Sequence, residues 1–495
     1  MKPKHLLLCS IIGLALPLAA TAAFPEWESS VRTDLSKMAD HLSATLKPWT
    51  PPDKIFRVED FGAVADGATV NTKAINQAIA ECAAKGGGVV RFTRGDYVTG
   101  TLDLKSGVML EVLAGARVLG STNLADYPDR IAKRRTVMDS NMDIRQSLIY
   151  AEGLERIGIR GPGVIDGRGE SAHFPGKETI HGTPGRPFLM RVIDCRDVVV
   201  DGVTLRSSAS WMEDFLNCEN VISQNVTVEN YGNWNNDGLD LDGCRNVIVR
   251  HDVFIAEDDG MCFKGASLKP MENVLVEDCK FYSACNALKF GTDSQGDFRN
   301  VLVRNCEVGG PAVKKGLMKR PLANAGIAWE IVDGGTLENV MTTNIHIIRA
   351  ESPIFLCLGN RGRVLPDDPK PAPGKLRRVI FDGLTGSNNG KRGSIISGIP
   401  GARIEDVVVV NVNLSIAGGA TAEPSSKKIP EKITGYPDAA NYGAQVPAYG
   451  FWVRHAEEII FSNVRVIPKQ PDARPLIAQG EDVKDLKATA CTGGK

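Results

Sequence analysis

Residues 245–254 read Arg-Asn-Val-Ile-Val-Arg-His-Asp-Val-Phe, and residues 272–281 read Glu-Asn-Val-Leu-Val-Glu-Asp-Cys-Lys-Phe. Each is a short apolar strand flanked by polar turn residues. Related units recur around Ile157, Val198, Val221, Val247, Val274, Val301, Val340, Val379, Val407 and Ile459. Clean units are spaced 23 to 28 residues apart, and the spacing lengthens where loops intrude. With short strands, that period is about one turn of a three-sided parallel solenoid. Helical repeats of similar length need amphipathic helices, which these Val- and Gly-rich units lack, and a propeller blade needs about 40 residues. The expected fold is all-β, a right-handed parallel β-helix.

Working outward, residues 24–55 carry Trp27, Val31, Leu35, Met38 and Leu42 at helical spacing before the prolines Pro48, Pro51 and Pro52. This predicts an amphipathic helical extension packed outside the main body. A second helix follows Asn71, expected as its N-cap, with Ile75, Ile79 and Cys82 on one face and Gly86-Gly87-Gly88 at its end. An open solenoid must cover the end of its core, and this short helix is the expected cap. Strands are predicted at 89–92, 97–99, 108–112 and 118–119. The β-helix domain is assigned to 56–470 and a C-terminal tail to 471–495. Loops interrupt the repeat at 166–188, at 309–326 with Lys314, Lys315, Lys319 and Arg320, in the proline-rich stretch 361–375, and at 418–450. Insertions on one face of a solenoid commonly wall its binding groove.

The chain of 495 residues is 43% hydrophobic, ample for a large core, and its 58 basic and 59 acidic residues give no bulk attraction for nucleic acid. Residues 1–23 read as a secretory signal. Lys2 and Lys4 precede an apolar run from Leu6 to Leu18 and the small residues Ala20-Thr21-Ala22-Ala23. That run is too short to span a bilayer, no later stretch reaches the roughly 18 apolar residues needed, and no membrane partner is expected. A secreted or periplasmic location follows as an expectation. Of the eleven cysteines, Cys218, Cys244, Cys279 and Cys306 recur within the repeats, which favours stacked buried thiols over a disulfide framework.

The stretch from Asn235 to Lys264 contains Asn-Asn-Asp-Gly-Leu-Asp and Glu-Asp-Asp-Gly-Met-Cys-Phe-Lys. Asp237 and Asp258 are 21 residues apart, close to one turn, so they stack on neighbouring coils about 4.8 Å apart along the axis. Carboxylates one or two coils apart match the roughly 5–9.5 Å of glycosidase acid and base pairs. Their repulsion would leave one protonated beside an ionised neighbour. Asn-Asp-Gly and Asp-Asp-Gly are also good turn sequences. Three carboxylates in register, however, would not be selected for a core.

These motifs resemble glycoside hydrolase family 28, the polygalacturonase family of parallel β-helices. Its Asn-Thr-Asp matches Asn235-Asn236-Asp237, and its Gln-Asp-Asp matches Glu257-Asp258-Asp259 followed by Gly260-Met261-Cys262. Phe61-Gly62-Ala63, the glycine run after the second helix and Leu104-Lys105-Ser106 extend the likeness over residues 56–470. The resemblance implies that Asp258 or Asp259 is the general acid, and that Asp237 and the other activate water for inversion. Two departures stand out. The family's Gly-His-Gly falls on Cys285-Asn286-Ala287, and its Arg-Ile-Lys, whose cations grip galacturonate, falls on Ala328-Trp329-Glu330. They point away from an ordinary endo-polygalacturonase.

Lys264 and Lys289, each ending a short strand on neighbouring repeats, are candidates to replace those cations, by holding a uronate or by tuning an acid. Asn235, Asn286, Arg186, Trp234, Arg299 and His455 complete the expected substrate-binding set, with Asp293, Arg454 and Trp211 as further groove candidates. The expected function is inverting, exo-acting cleavage of pectin-like polysaccharide or oligosaccharide containing galacturonate or rhamnose. No cofactor or metal is expected, and the protein is expected to be a monomer. Two other classes share the fold. A Ca²⁺-dependent polysaccharide lyase would use the aspartates as ligands, and a non-catalytic glycan-binding β-helix would not need them.

Overall fold

The computed structural model describes residues 24–493 apart from 134–135, 138–144, 175–184, 312–318 and 366. The leader at 1–23 and Lys314 and Lys315 lie outside the described residues. The chain winds as a right-handed parallel β-helix: among the described residues, twelve parallel strands form one sheet, and a second ladder of 24 strands makes the other two faces. A single coil runs through Arg245–Arg250, Val253–Ala256 and Met261–Lys264 before Met271–Glu277 begins the next.

Why the repeat carries asparagine before valine is visible in the register. Val221, Val247, Val274, Val301 and Val340 stack directly over one another. The preceding Asn220, Asn246, Asn273, Asn300 and Asn339 all take left-handed backbone with φ of 56–58°. Asparagine tolerates that conformation at the bend between faces. Their amides form a ladder, each donating to the one before at 3.2–3.4 Å from Asn246 to Asn339. The cysteines follow the same logic: Cys218 donates to Val192 O at 3.4 Å and Cys244 to Phe215 O at 3.2 Å, both as buried free thiols. Inside the bore, Phe263, Phe290 and Trp329 pack in succession, with centroids 4.3 and 4.6 Å apart.

Two helices finish the solenoid. The first, α1 (Glu26–Thr45), lies along its outside. Val31, Leu35, Ala39 and Leu42 cover Ile248, Leu275, Leu302 and Ile380. Phe24 and Trp27 reach Val408, Val410 and Ile460, while Leu46 and Trp49 reach Met109, Val199 and Ile222. Most of these partners form one outward row running from Val199 through Ile248 and Met341 to Ile460. A helix of 20 residues spans about 30 Å, the length of about six coil spacings. The helix is therefore a strap matched to the stack.

The second, α2 (Thr72–Ala84), closes the amino-terminal end with Ile75, Ala78, Ile79 and Cys82 buried. Asn71 stands at its N-cap, but its side chain does not bond to the helix. It accepts from Val64 N at 2.7 Å and donates to Val64 O and Thr69 O, tying down the preceding loop instead. The segment set apart as a tail also needs correction. Ile477–Gln479 pairs with Phe451–Arg454, and later short strands to Gly493 pair with Ala456–Gln470. The ladder thus runs past residue 470, through strands that lack the valine signature of the repeat.

Candidate active site

Six neighbouring strands of the twelve-stranded sheet carry the site: β1 (Phe188–Ile193), β2 (Glu213–Leu216), β3 (Leu239–Asp242), β4 (Met261–Lys264), β5 (Asn286–Phe290) and β6 (Ala323–Ile331). Side chains alternate, so Leu241, Phe263, Phe290 and Trp329 fill the bore while Asp240, Cys262 and Lys289 line the outer surface in one row. Asp237 lies in the turn entering β3, and Asp258 and Asp259 in the turn entering β4. These turns stack closely: Gly238 N donates to Asp259 O and Gly260 N to Asn286 O. A Cβ at Gly238 would meet Gly260 O at 2.4 Å, and one at Gly260 would meet Ala287 O at 2.5 Å. The glycines after both aspartate motifs are what let the carboxylates come together.

Each acid has distinct neighbours. The Cys262 thiol lies 3.8 Å from Asp237 Oδ2 and 3.4 Å from Asp259 Oδ2, so these two carboxyls flank one sulfur. Lys289 Nζ donates to Asp259 Oδ2 at 2.8 Å, and Asn286 donates to Asp259 Oδ1 from both its backbone and its amide. Lys264 Nζ lies 3.2 Å from Asp240 and 3.8 Å from Asp237, over the face of Trp211 at 4.3 Å. Asp258 N donates to Asn236 Oδ1 at 3.0 Å. Arg186 Nη2 donates to Asn235 Oδ1 at 2.8 Å and Nη1 to Trp234 O, fixing the loop that leads into Asp237.

These surroundings pull the acids apart electrically. Burial, then the charge of Asp259, pushes Asp258 up to about 6. Burial alone would also raise Asp259, but the charge and hydrogen bond of Lys289, with help from Lys264 and Asn286, hold it below its ordinary value. Burial, followed by the charges of Asp240 and Asp258, holds Asp237 well above the carboxylate range. At mildly acidic pH the trio is one anion between two protonated acids. Among the described residues, two groups of donors are close enough to hold a cation: Asp237, Asp240 and Cys262, and Asp258, Asp259 and Cys285, each within 4.8 Å. Lys264 and Lys289 already stand against them.

The sequence candidates divide. Asp237, Asp258, Asp259, Asn235, Asn286, Arg186, Lys264, Lys289 and Trp234 come together here. Trp234 contributes through its backbone carbonyl, and Trp211 is buried against Phe188 rather than open as a platform. Arg299 does not belong. It sits on the opposite ladder, in a row that alternates charge through Arg245, Glu272, Arg299, Glu338 and Arg377, and lies 3.6 Å from both of its glutamates. His455 does not belong either. Its row is five coils beyond Lys264, about 24 Å away, and its ring is held by Glu431 at 3.0 Å and Asp482 at 3.5 Å. Arg454 is buried beside it, bonded to Ser397 and Ile429, and Asp293 is paired with Arg361 and Arg363.

Sequence reasoning named Asp240 and Glu330 within the motifs but gave them no role, and it missed the Arg191–Asp214 pair at 3.1 Å and Tyr436. The Leu-Asp-Leu-Asp alternation of β3 was the available signal for Asp240. Glu330 lies 3.8 Å from Lys289, and burial pushes it up to about 8. Tyr436 comes from the long 418–450 loop and places its hydroxyl 3.3 Å from Lys289. Nothing in that loop's sequence marks it.

A model described as glycosyl hydrolases family 28 matches residues 132–433, and one described as rhamnogalacturonase A/epimerase, pectate lyase-like, matches 55–112. An exo-poly-alpha-D-galacturonosidase of Dickeya chrysanthemi is 32% identical over 172 residues, 32% of this chain but only 27% of that protein's length. A probable polygalacturonase of Vitis vinifera is 23% identical over 74% of this chain and 75% of its own. Among solved structures, an exopolygalacturonase of Thermotoga maritima superposes with a TM-score of 0.65 at 21% identity, covering 86% of this chain and 95% of its own. A family 28 exopolygalacturonase of Yersinia enterocolitica gives 0.62 at 20%, covering 88% and 78%. Both are likenesses of fold.

Proposed function

The chain belongs to glycosyl hydrolases family 28, and from that premise we propose that it cleaves galacturonate-containing pectic chains from an end, with inversion. One observation carries the mechanism: two adjacent aspartates, one with an ammonium at 2.8 Å and a lowered pKa, the other without that contact and raised to about 6. Asp258 gives its proton to the glycosidic oxygen as the C–O bond breaks. Asp259 takes a proton from the water that forms the new bond at the anomeric carbon from the opposite face. Asp237, protonated and facing Asp259 across Cys262, orients that water as a donor. Asn286 and Lys289 hold Asp259 in place and ionised.

The exo mode is supported by the names of the Dickeya protein and of both solved structures, and by the long 418–450 insertion that brings Tyr436 over Lys289. The amino-terminal leader supports export to the periplasm or medium. A calcium-dependent lyase is the weaker reading: Ca²⁺ takes 6–8 oxygen ligands, and here two ammoniums and a thiol occupy the carboxylates' surroundings. The test is digestion of pectic oligosaccharides in heavy-oxygen water, read by mass spectrometry and by NMR of the first-formed anomer. Saturated, labelled, inverted products are expected. Unlabelled, unsaturated fragments would overturn the assignment.

A further inference from the structure

Lys289, on β5, stands between two carboxyls. Its Nζ donates to Asp259 Oδ2 at 2.8 Å and lies 3.8 Å from Glu330 Oε2 on β6. Glu330 is 1% exposed, and neither of its carboxyl oxygens has a hydrogen-bond partner among the described residues. Arg361, whose charge also reaches Glu330, is committed to Asp293 and Asp333. A buried carboxyl without a partner competes strongly for the nearest ammonium. The flexible four-carbon stem of a lysine can serve either acid, so something must decide between them.

The third group at the ammonium is the Tyr436 hydroxyl, which accepts from Nζ at 3.3 Å. Its backbone in the 418–450 insertion is pinned on both sides. Asn360 N donates to Ile433 O at 2.6 Å, and Asn441 Nδ2 donates to Tyr436 O at 2.9 Å. A little further on, Asp438 accepts from Asn324 at 2.7 Å, and Tyr442 is buried against Phe355 and Trp452. Tyr436 itself is 51% exposed, so its place owes more to the inward-turned hydroxyl than to packing. Other charges face the two acids. Asp237, Asp240, Asp258 and Lys264 act on Asp259, beside the thiols of Cys262 and Cys285, while Asp438 and Arg361 act on Glu330. Of these groups only Lys289 is within reach of both.

Resting on the hydrolase reading above, we propose that Tyr436 is a positioning residue: its hydroxyl keeps the Lys289 ammonium on the base Asp259 and off the competing Glu330. Without it the ammonium crosses to β6. Asp259 then loses the charge that offsets its burial and takes up a proton, while Glu330, pushed up to about 8 by burial in the present arrangement, gives one up. A protonated Asp259 cannot accept the proton of the attacking water. The insertion therefore holds the site in its working protonation state from a distance in sequence of more than a hundred residues.

The test joins a structure to a pH profile. In a crystal structure of Tyr436→Phe, grown at the same pH as the wild type, Lys289 Nζ should lie within hydrogen-bond distance of Glu330 and beyond it from Asp259. The acidic limb of kcat/KM should move up by about one pH unit, a roughly tenfold loss of activity below the limb. Adding Glu330→Gln to Tyr436→Phe should return the limb to its wild-type position, because a neutral amide offers the ammonium no charge to prefer. A merely structural tyrosine would show no such rescue. An ammonium that stays on Asp259, an unmoved limb, or a shift that persists without Glu330 would each overturn the proposal. The crystal structure decides where the ammonium sits whatever the heavy-oxygen digest yields. A digest without labelled product sinks the hydrolase reading alone, and hydrolysis with Lys289 unmoved in Tyr436→Phe sinks this inference alone.

Discussion

Lys289 Nζ lies 2.8 Å from Asp259 Oδ2, a contact that Asp258, the preceding residue, does not share among the described residues. Two carboxyls in one turn thereby differ in protonation. Replacing Lys289 by methionine should raise Asp259 most, and Asp258 by less, because the ammonium lowers both. The profile of kcat/KM against pH should therefore move to higher pH, its acidic limb by roughly 1–3 units. An unmoved acidic limb would separate Lys289 from the ionisation of the base.

In the wild-type protein, the proposed mechanism needs Asp258 protonated and Asp259 ionised. Activity should fall as pH rises through about 6, where Asp258 loses its proton. On the acid side it should hold to below the ordinary aspartate range, because Asp259 is depressed. A rate optimum at alkaline pH would contradict these roles.

Substituting asparagine separates the three acids. Asp258→Asn and Asp259→Asn each remove a proton transfer and should cost about 10²–10⁴-fold in kcat. Asp237 is held protonated by burial and its acidic neighbours, and asparagine still donates a hydrogen bond. Asp237→Asn should therefore lose clearly less than Asp259→Asn, measured by product release from the same oligosaccharide. Equal losses would make Asp237 a second base.

Stability should also depend on pH away from the site. Asp252 accepts from Ser223 Oγ and Val226 N, each at 2.7 Å, in a buried corner, and burial pushes it up to about 7. Its folded value exceeds the unfolded one of about 3.9. Its stabilising contribution is thus complete below that value and lost as pH rises through about 7, on the order of 4 kcal/mol in all. Tm should decline across that window, and Asp252→Asn should flatten the decline. A variant with an unchanged slope would assign the decline to other carboxyls.

Much of the fold was legible because the solenoid repeats its chemistry along with its shape. Valine at the inward positions and asparagine at the left-handed bend recur at the period of a coil, so Asn246-Val247 and Asn273-Val274 announce both strand and turn. The last coil was illegible because its strands at 477–493 are short and partly polar. In the site, the aspartates and glycines were readable as turns too acidic for a core. Arg299 was misread because a charge before the repeat's asparagine belongs to a ladder of alternating sign, which appears only once the coils are in register. Glu330 was legible as the residue at the family's lysine position, but its approach to Lys289, like that of Tyr436, depends on contacts between distant segments that no local pattern encodes.

The strap formed by α1 has a bearing on how the molecule comes apart. Phe24 and Trp27 rest on Val408 and Ile460, so the first residues described here cannot find their seat until almost the last coil has been laid down. Contacts closing so long a loop form late, after the folding barrier, and late contacts govern the rate of escape from the native state more than the rate of entry. Leu35→Ala, which empties the middle of the strap, should hasten unfolding in stopped-flow urea jumps while leaving refolding almost untouched. The extension that plays no part in the chemistry would then set how long the folded enzyme lasts.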